Sequence, residues 1–519
     1  MKRDFSALNG DFDLLICGGG IYGAWTAYAA ALRGLRVALV EQGDWASATS
    51  SASSKLIHGG LRYLETYDFK LVRKALKERR VLLSIAPHRV WPLRFGVPVY
   101  DDSRNGMLKL KAGLTLYDAL AGFPPEAMRH RRFGAADFLG HFPFLAAQGL
   151  RGGFTYGDAQ TDDARLVLEL VAGALAHGAV CVSYARLDAW HETEGTVRGA
   201  TVHDEERGAT VSVAARQCVS TSGQWLATGA AGRSWCRLSK GVHLVLPALP
   251  THEAILLTAK SDGRVFFIIP WYGRTLLGTT DTDYRGDVNR VAVETADIDY
   301  LLAAANGYLQ RQWTRQDVVA SYAGLRVMKQ SDAAHPSAVS RDWELKTDHN
   351  GLHHALGGKL TSAREDAAVI VDTVCKQLGV GAGCTTGGRD LAWKPQQDFG
   401  VWLVAVTAQA QRLGIDAESA QWLLRRHGAR VAQVLRVVEE TPQSASRIVP
   451  ELPLIEADLL FCAQHEMVLH LSDLLRRRLP LLILAQLDET TLRRCAETVA
   501  PVLGWDADRV SREIKACRT

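Results

Sequence analysis

The run Gly18-Gly19-Gly20-Ile21-Tyr22-Gly23 has the Gly-x-Gly-x-x-Gly spacing with which a backbone turn cradles a pyrophosphate. Gly18 makes the tight turn, Gly20 lets the backbone approach the phosphates, and Gly23 lets helix and strand pack closely. A helix that starts here offers free N–H groups and the positive end of its dipole to an anion. Glu41, about 20 residues further on, stands where a carboxylate can accept hydrogen bonds from a ribose. A second stretch, Ala48 to Glu65, is built of small hydroxyls and glycines. Such residues let a chain press against a flat ligand while supplying hydrogen bonds, and Arg62 and Tyr63 would point past that ligand toward a substrate.

These residues need particular elements to hold them. Asp13 to Cys17 read as a buried strand feeding the glycines, Ala24 to Arg33 as the helix after them, and Leu35 to Val40 as a second strand ending at Glu41. That is a βαβ unit with an acid at the tip of its second strand. A helix is expected over Phe69 to Ser84, and residues 91–150 look less regular. From Asp163 to His177 an amphipathic helix recurs, followed by a strand at Ala179 to Tyr184, a hairpin at Val197 to Val213 and a strand at Gln217 to Ser220. This second block reads as the rest of the nucleotide domain. Val242 to Leu246, Val265 to Ile269 and Thr275 to Leu277 suggest an antiparallel sheet. Residues 352–380 return to a glycine turn and a helix. From Phe399 onward the pattern is almost wholly helical.

At 519 residues the chain is long enough for more than one domain. Its 60 Lys plus Arg against 56 Asp plus Glu give a net charge of +4, too mild to argue for nucleic acid. Nine cysteines are scattered with no Cys-x-x-Cys pair, so neither a zinc ribbon nor a redox dithiol is indicated and no metal is expected. Their apolar surroundings read as reduced thiols in a cytosolic setting. No apolar stretch of signal-peptide length precedes the first strand, and no segment reaches the ~20 apolar residues of a spanning helix.

The Ala48–Glu65 stretch strongly resembles the flavin-dependent glycerol-3-phosphate dehydrogenases, the membrane-associated respiratory type of the D-amino-acid-oxidase-like flavoproteins. The resemblance continues through Ala86-Pro87-His88, Thr161-Asp162-Asp163-Ala164-Arg165-Leu166, Lys240-Gly241-Val242-His243, Ile269-Pro270-Trp271, Gly278-Thr279-Thr280-Asp281 and Gly357-Gly358-Lys359-Leu360-Thr361. It covers essentially the whole chain, the helical C-terminus included. It implies a mixed α/β fold: a Rossmann-like FAD-binding domain, an antiparallel-sheet substrate domain inserted in it, and an all-α C-terminal domain. Residues 1–90, 150–239 and 346–385 would form the FAD-binding domain, 91–149 and 240–345 the substrate-binding domain, 386–398 a linker and 399–519 the helical domain.

The resemblance also implies roles. FAD would contact Gly18, Gly19, Gly20 and Gly23 with its pyrophosphate, and Glu41 and Gln42 with its adenosine ribose. Ser50 and Ser51 would also contact FAD, its ring system would lie near Ser54, His58, Gly60 and Leu61, and Gly223 would stand at a strand end that meets the flavin. Gly357 to Thr361 would open a helix at the pyrimidine edge, where Gly358, Lys359, Leu360 and Thr361 approach the ring and Lys359 stabilises negative charge. The substrate would be sn-glycerol 3-phosphate, oxidised to dihydroxyacetone phosphate with hydride passing to flavin N5. Arg62 and Arg326 would clamp the phosphate, with Arg341 a weaker candidate. His243 would be the base. Thr279 or, as the favoured choice, Thr280 would bond the substrate hydroxyl, and Tyr63 would orient it.

Three positions depart from the family pattern. Gly-Val-Arg-Pro is Gly324-Leu325-Arg326-Val327, which removes the loop stiffness of a proline; Lys-Gly-Ser-His is Lys240-Gly241-Val242-His243; Ala-Thr-Gly is Thr221-Ser222-Gly223. A related phosphorylated polyol is the alternative substrate. The implied acceptor is ubiquinone or menaquinone, oxygen being the alternative, and this calls for a lipid-facing surface. Residues 104–120 and Met128 to Phe133 mix cations with apolar side chains, as stretches lying in a bilayer interface do. The expected location is cytoplasmic, on the inner face of the cytoplasmic membrane, with a homodimer as the candidate assembly. Arg476-Arg477-Arg478 reads as a charge cluster at a helix C-terminus.

Overall fold

The computed structural model describes residues 1–65, 67–332, 339 and 342–518. Two sheets and a helical C-terminal region make up the chain. The first sheet is built around Asp11–Cys17, which pairs in parallel with Thr210–Ser220 on one side and Val37–Val40 on the other. Val180–Val182 extends it beyond Val37–Val40, and His353–Leu356 extends it beyond Thr210–Ser220, both in parallel. Antiparallel strands Thr196–Asp204 and Ala185–Thr193 continue from Thr210–Ser220, and Glu344–Thr347 closes the far edge. Val37–Val40 is buried along its whole length, as a strand covered on both faces must be.

The helix Ile21–Ala31 covers this sheet. Its many alanines let it sit between the helices Asp163–Ala176 and Ala363–Leu378, and ten of its eleven residues are buried. Asp162 caps Asp163–Ala176 by accepting from the Arg165 N–H, a contact worth about 1 kcal/mol. The turns that end Asp11–Cys17, Thr210–Ser220 and His353–Leu356 all lie at the carboxyl ends of parallel strands, where open α/β sheets bind ligands. Gly18–Gly23, Thr221–Gly223 and Gly357–Thr361 are therefore brought together.

The second sheet is mostly antiparallel. Its order is Thr282–Asp283, Cys236–Pro247, Arg274–Gly278, Val265–Trp271, Ala254–Thr258, Val90–Tyr100, Leu150–Thr161, Leu56–Ile57. Ala320–Lys329 pairs with Cys236–Pro247, and Arg131–Gly134 with Leu150–Thr161. The region that looked irregular, residues 91–150, thus holds nearly all of one of the longest strands, Val90–Tyr100, and ends where its 12-residue partner Leu150–Thr161 begins, the two pairing over nearly their whole length. Leu150–Thr161 belongs to this second sheet and not to the nucleotide-binding one. The Leu56–Ile57 strand ties the serine-rich stretch to its edge.

The C-terminal helices run Phe399–Arg412, Ala417–His427, Val431–Glu440, Glu456–His465, Glu489–Leu503 and Ala507–Arg518, with shorter turns between. Buried ion pairs dock them to the rest. Arg165 reaches Glu466 (Nη2–Oε1 2.8 Å) and the Arg426 carbonyl (2.8 Å), and Arg89 reaches the carbonyls of Arg425 and Arg426 at 2.7 and 2.9 Å. The segment at 386–398 is docked too: Trp393 is buried and its N–H donates to Glu169 at 2.8 Å. Arg477 and Arg478 stand in the last turn of the helical segment Leu474–Arg478, but their side chains do more than face its carbonyls. They are buried and paired with Asp44 in the loop after Val37–Val40, because a guanidinium taken out of water needs a carboxylate. All nine cysteines are free. Among the described residues, no helix is long and apolar enough to cross a membrane.

His427 is fully buried, with Nε2 2.6 Å from Asp458 Oδ1. Burial holds its pKa down at about 4, against the ordinary value near 6.5. Below pH ~6.5 the unfolded imidazole gains a proton that the folded one refuses, so stability is present at neutral pH and is lost as pH falls toward 4. The expected loss from this residue is about 3 kcal/mol over that window. Urea unfolding at a series of pH values checks it: His427→Asn should show a shallower decline than the parent, and identical slopes would refute the assignment.

Candidate active site

A cavity of about 710 Å³ opens where the three strand-end turns meet. Gly18 and Gly20 line it at the glycine turn, and Glu41 and Gln42 at the tip of the second strand. Gly223 and Gly358 to Thr361 line it from the other two turns. Ser50, Ser54 and His58 come from the serine-rich stretch, and His243 and Arg326 from the second sheet. The volume falls in the range of cofactor sites.

The glycine turn has the shape a pyrophosphate needs. Gly18 has φ +112, and a Cβ on Gly23 would sit 1.8 Å from the Gly18 carbonyl oxygen. Gly23 therefore lies behind the turn and lets it pack on the helix, without reaching the cavity. The Ile21 N–H at the helix start donates to Ser50 Oγ at 2.9 Å. Gly19 does not line the cavity either: its N–H donates to Glu41 Oε2 at 2.6 Å. Glu41 also accepts from the Gly43 N–H at 2.9 Å, and its burial raises its pKa against these donors. Ser51 is buried, and its hydroxyl turns to the Ala48 carbonyl at 3.4 Å. The remaining donors, glycines and acid suit an extended dinucleotide such as FAD, and the Ser50 hydroxyl is the side-chain atom that a Cβ on Gly20 would meet, at 3.0 Å.

Gly357 and Gly358 both have left-handed φ, +74 and +99. A Cβ on Gly358 would lie 1.7 Å from the Tyr22 hydroxyl, so this turn presses directly on the first helix. The helix after it starts at Ala363, two residues beyond the expected opening. The Tyr22 hydroxyl accepts from the Lys359 N–H at 3.1 Å and donates to Asp366 at 2.7 Å. Lys359 Nζ lies 3.9 Å from the centre of the Tyr63 ring, and Arg62 lies 5.0 Å from it on the guanidinium carbon. Tyr63 thus carries two cations on its ring.

A smaller cavity of about 140 Å³ adjoins the first, and Ser54, His58, Tyr63 and Arg326 line both. Gly60, Leu61 and Arg62 line the small one, together with Arg264, Thr279 and Asp281. Arg326 donates to Thr279 Oγ1 at 2.8 Å and to the Thr280 carbonyl at 3.1 Å, and lies 3.5 Å from Asp281. Thr280 itself faces away. Its side chain is buried and accepts from the Val242 N–H at 3.0 Å, so Thr279 presents its hydroxyl to the cavity instead. The hydrogen bonds, from the Val242 N–H to Thr280 and from Arg326 to Thr279, settle which threonine is available. Arg341 lies outside the described residues.

His243 is buried, with Nε2 2.8 Å from Ser54 Oγ and its ring stacked on Tyr322 at 4.9 Å. Its pKa lies well below the usual imidazole value, first because of burial and then because Arg326 and Lys55 are near. His58 is likewise depressed by burial, to about 4. Both rings are neutral at neutral pH. Ser54 is positioned by Lys55, which takes a left-handed φ of 59° and anchors its ammonium to Asp163 (2.7 Å) and to the Ser51 carbonyl (2.5 Å).

Strand register explains the company His243 keeps. Tyr322 and Gly278 are its cross-strand neighbours. Gly241 and His243 alternate toward the cavity on one strand, and residues Gly324 to Met328 of the next line it together. Val242, where the family has serine, points into the apolar core, and Val327 continues a strand and not a loop, so the missing proline removes no loop stiffness. Lys55, Arg264, Asp281 and Tyr322 were not foreseen as site residues. For Tyr322, its place two residues before Gly324 and four before Arg326 on one strand was the available signal.

Residues 13–364 match the family described as FAD dependent oxidoreductase, and residues 397–510 match the C-terminal domain of alpha-glycerophosphate oxidase. A glycerol-3-phosphate dehydrogenase of Synechocystis sp. is 34% identical over 99% of this chain and 97% of its own. An aerobic glycerol-3-phosphate dehydrogenase of Staphylococcus aureus is 32% identical over 91% of this chain and 87% of its own. The structure of the glycerol-3-phosphate dehydrogenase from Bacillus halodurans complexed with FAD is 29% identical, with a TM-score of 0.79 over 98% of this chain and 94% of that one. Both sheets and the helical C-terminus thus have counterparts in one group of proteins, and the chain belongs to the FAD-dependent glycerol-3-phosphate dehydrogenase family.

Proposed function

We propose that the chain oxidises sn-glycerol 3-phosphate to dihydroxyacetone phosphate and delivers the electrons to ubiquinone or menaquinone in a membrane. FAD, held in the large cavity, supplies the hydride acceptor. The observation that carries the reading is the small cavity, in which Arg62, Arg264 and Arg326 converge, with the neutral imidazole of His243 bonded to Ser54, which lines both cavities. A phosphate dianion asks for several N–H donors, and guanidinium groups offer planar forks of them. Arg62 and Arg326 grip the phosphate. Thr279 and Tyr63 orient the glycerol hydroxyls. His243 takes the proton of the C2 hydroxyl, which a neutral imidazole can do and an imidazolium cannot. Lys359 stabilises negative charge at the edge of the cofactor, and Glu41 holds the ribose. The names of the relatives over nearly the full chain support this substrate.

The helix Met107–Leu120 supports a membrane-facing side. Leu108 is 85% exposed and Leu116 39%, with Lys109 and Lys111 exposed beside them. Tyr67 and Phe123, at 78% and 63%, are further exposed rings, and Asn105 at the start of this helix bonds Glu65 at 2.6 Å. Apolar side chains framed by lysines suit a bilayer interface with anionic lipid. A quinone-linked enzyme of this kind would lie on the membrane without crossing it.

The test is anaerobic addition of sn-glycerol 3-phosphate to the FAD-loaded protein. Loss of the flavin band, restored by a short-chain quinone, is the expected result. Restoration by oxygen alone, with peroxide formed, would replace the quinone with oxygen. An unchanged band would overturn the substrate.

A further inference from the structure

The helical C-terminal region grips the loop that shapes the glycine turn. Asp44 lies three residues beyond Glu41 and is buried, 1% exposed. Its carboxylate accepts from Arg477 Nε and Arg478 Nη1, which come from residues 433 and 434 positions away. Neither arginine is free to swing. Arg478 also donates to the carbonyls of Glu466 at 2.8 Å and Met467 at 3.1 Å. Arg477 donates to Asp473 at 2.8 Å, and Asp473 accepts from the Tyr184 hydroxyl at 2.6 Å. The Tyr184 N–H returns to the loop, donating to the Gly43 carbonyl at 2.9 Å.

The next residue carries the contact to the glycine turn. The Trp45 indole N–H donates to Met467 Sδ at 3.3 Å, and its ring edge fills the space where a Cβ on Gly19 would sit, 2.5 Å away. Gly19 is held on its other side by Glu41, whose oxygen accepts from its N–H at 2.6 Å. Any shift of loop 41–47 therefore moves the turn and the ribose acid together.

We propose that Asp44 and Trp45 are positioning residues through which the C-terminal helices brace the FAD site: Arg477, Arg478 and Met467 fix loop 41–47, and this loop fixes Gly19 and Glu41 in the shape that binds the cofactor. The C-terminal region then sets FAD affinity without touching FAD. This inference rests on cofactor binding and not on the identity of the substrate.

The experiment compares three variants of the full chain. Asp44→Asn removes the charge that Arg477 and Arg478 share. Met467→Ala removes the support under Trp45. Asp458→Asn breaks a buried pair with Arg426 that lies wholly inside the C-terminal region and serves as the control. FAD affinity is read by titrating the apoprotein, and the FAD-dependent rise in Tm is read alongside it. Asp44→Asn is expected to weaken FAD binding by about tenfold or more and to shrink the FAD-dependent rise. Asp458→Asn is expected to lower Tm equally with and without FAD, leaving affinity within about twofold. Unchanged affinity in Asp44→Asn overturns the inference, and so does an equal loss in the control, which would mean general destabilisation. Should Asp44→Asn not fold, Met467→Ala decides: about fivefold weaker binding, recovered in Met467→Leu, supports the brace, and parental affinity overturns it.

Discussion

Arg326→Ala is expected to raise the KM for sn-glycerol 3-phosphate by about a hundredfold, equivalent to roughly 3 kcal/mol, while changing kcat far less. The guanidinium is half-buried at the junction of both cavities. It is already oriented by Thr279 Oγ1 at 2.8 Å and the Thr280 carbonyl at 3.1 Å, so little entropy remains to be lost when a phosphate arrives. Gly241 leaves the space it occupies: a Cβ there would come within 2.6 Å of its nitrogens. Deleting the side chain removes a charge-assisted pair from a partly buried site. It also releases Asp281, 3.5 Å from the guanidinium, to repel the incoming dianion. Arg326→Lys keeps the charge but loses the planar fork, and an intermediate KM is expected. Steady-state kinetics with a short-chain quinone reads all three proteins. A parental KM in Arg326→Ala would remove this residue from the phosphate clamp.

The parts of this molecule legible in its sequence were those whose physics is local. The glycine turn was visible because strand, turn, helix and acid lie within 31 residues, Asp11 to Glu41, and each imposes its own composition. The C-terminal helices showed a 3.6-residue period and carried caps such as Asp416 and Asp488. Val90–Tyr100 was hidden because Pro92 and Pro98 interrupt its pattern, and Leu150–Thr161 because Gly152, Gly153 and Gly157 do. Close packing is the reason for those glycines: a Cβ on Gly153 would meet the Phe138 ring at 2.4 Å, and one on Gly157 the Met128 backbone at 2.7 Å. Long-range partners left no trace. Nothing around Arg477 and Arg478 announces Asp44. The choice between Thr279 and Thr280 hinged on long-range partners, the Val242 N–H for Thr280 and Arg326 for Thr279.

His243→Ala is expected to slow reduction of the bound flavin by about 10²–10⁴-fold while the substrate Kd moves only severalfold. The reasoning starts from protonation. Burial, with Arg326 and Lys55 nearby, keeps the His243 pKa well below 6.5, so the ring is unprotonated throughout the neutral range. A base acts in its unprotonated form, so the depressed pKa preserves activity as pH falls through 6.5 and moves the acid limb lower. An ordinary histidine base would instead lose activity around its usual pKa. Geometry supports the role. Ser54 Oγ holds Nε2 at 2.8 Å, Tyr322 fixes the ring plane by stacking at an 11° angle, and Nδ1 makes no hydrogen bond among the described residues. Rapid mixing under anaerobic conditions separates the two effects, since the saturated rate reports the chemical step and its concentration dependence reports binding. Partial recovery of the His243→Ala rate by added imidazole would identify a lost base. Equal reduction rates in the two proteins would exclude His243 from proton transfer. An acid limb centred near pH 6.5 in the parent, absent from the variant, would show that the ring titrates normally.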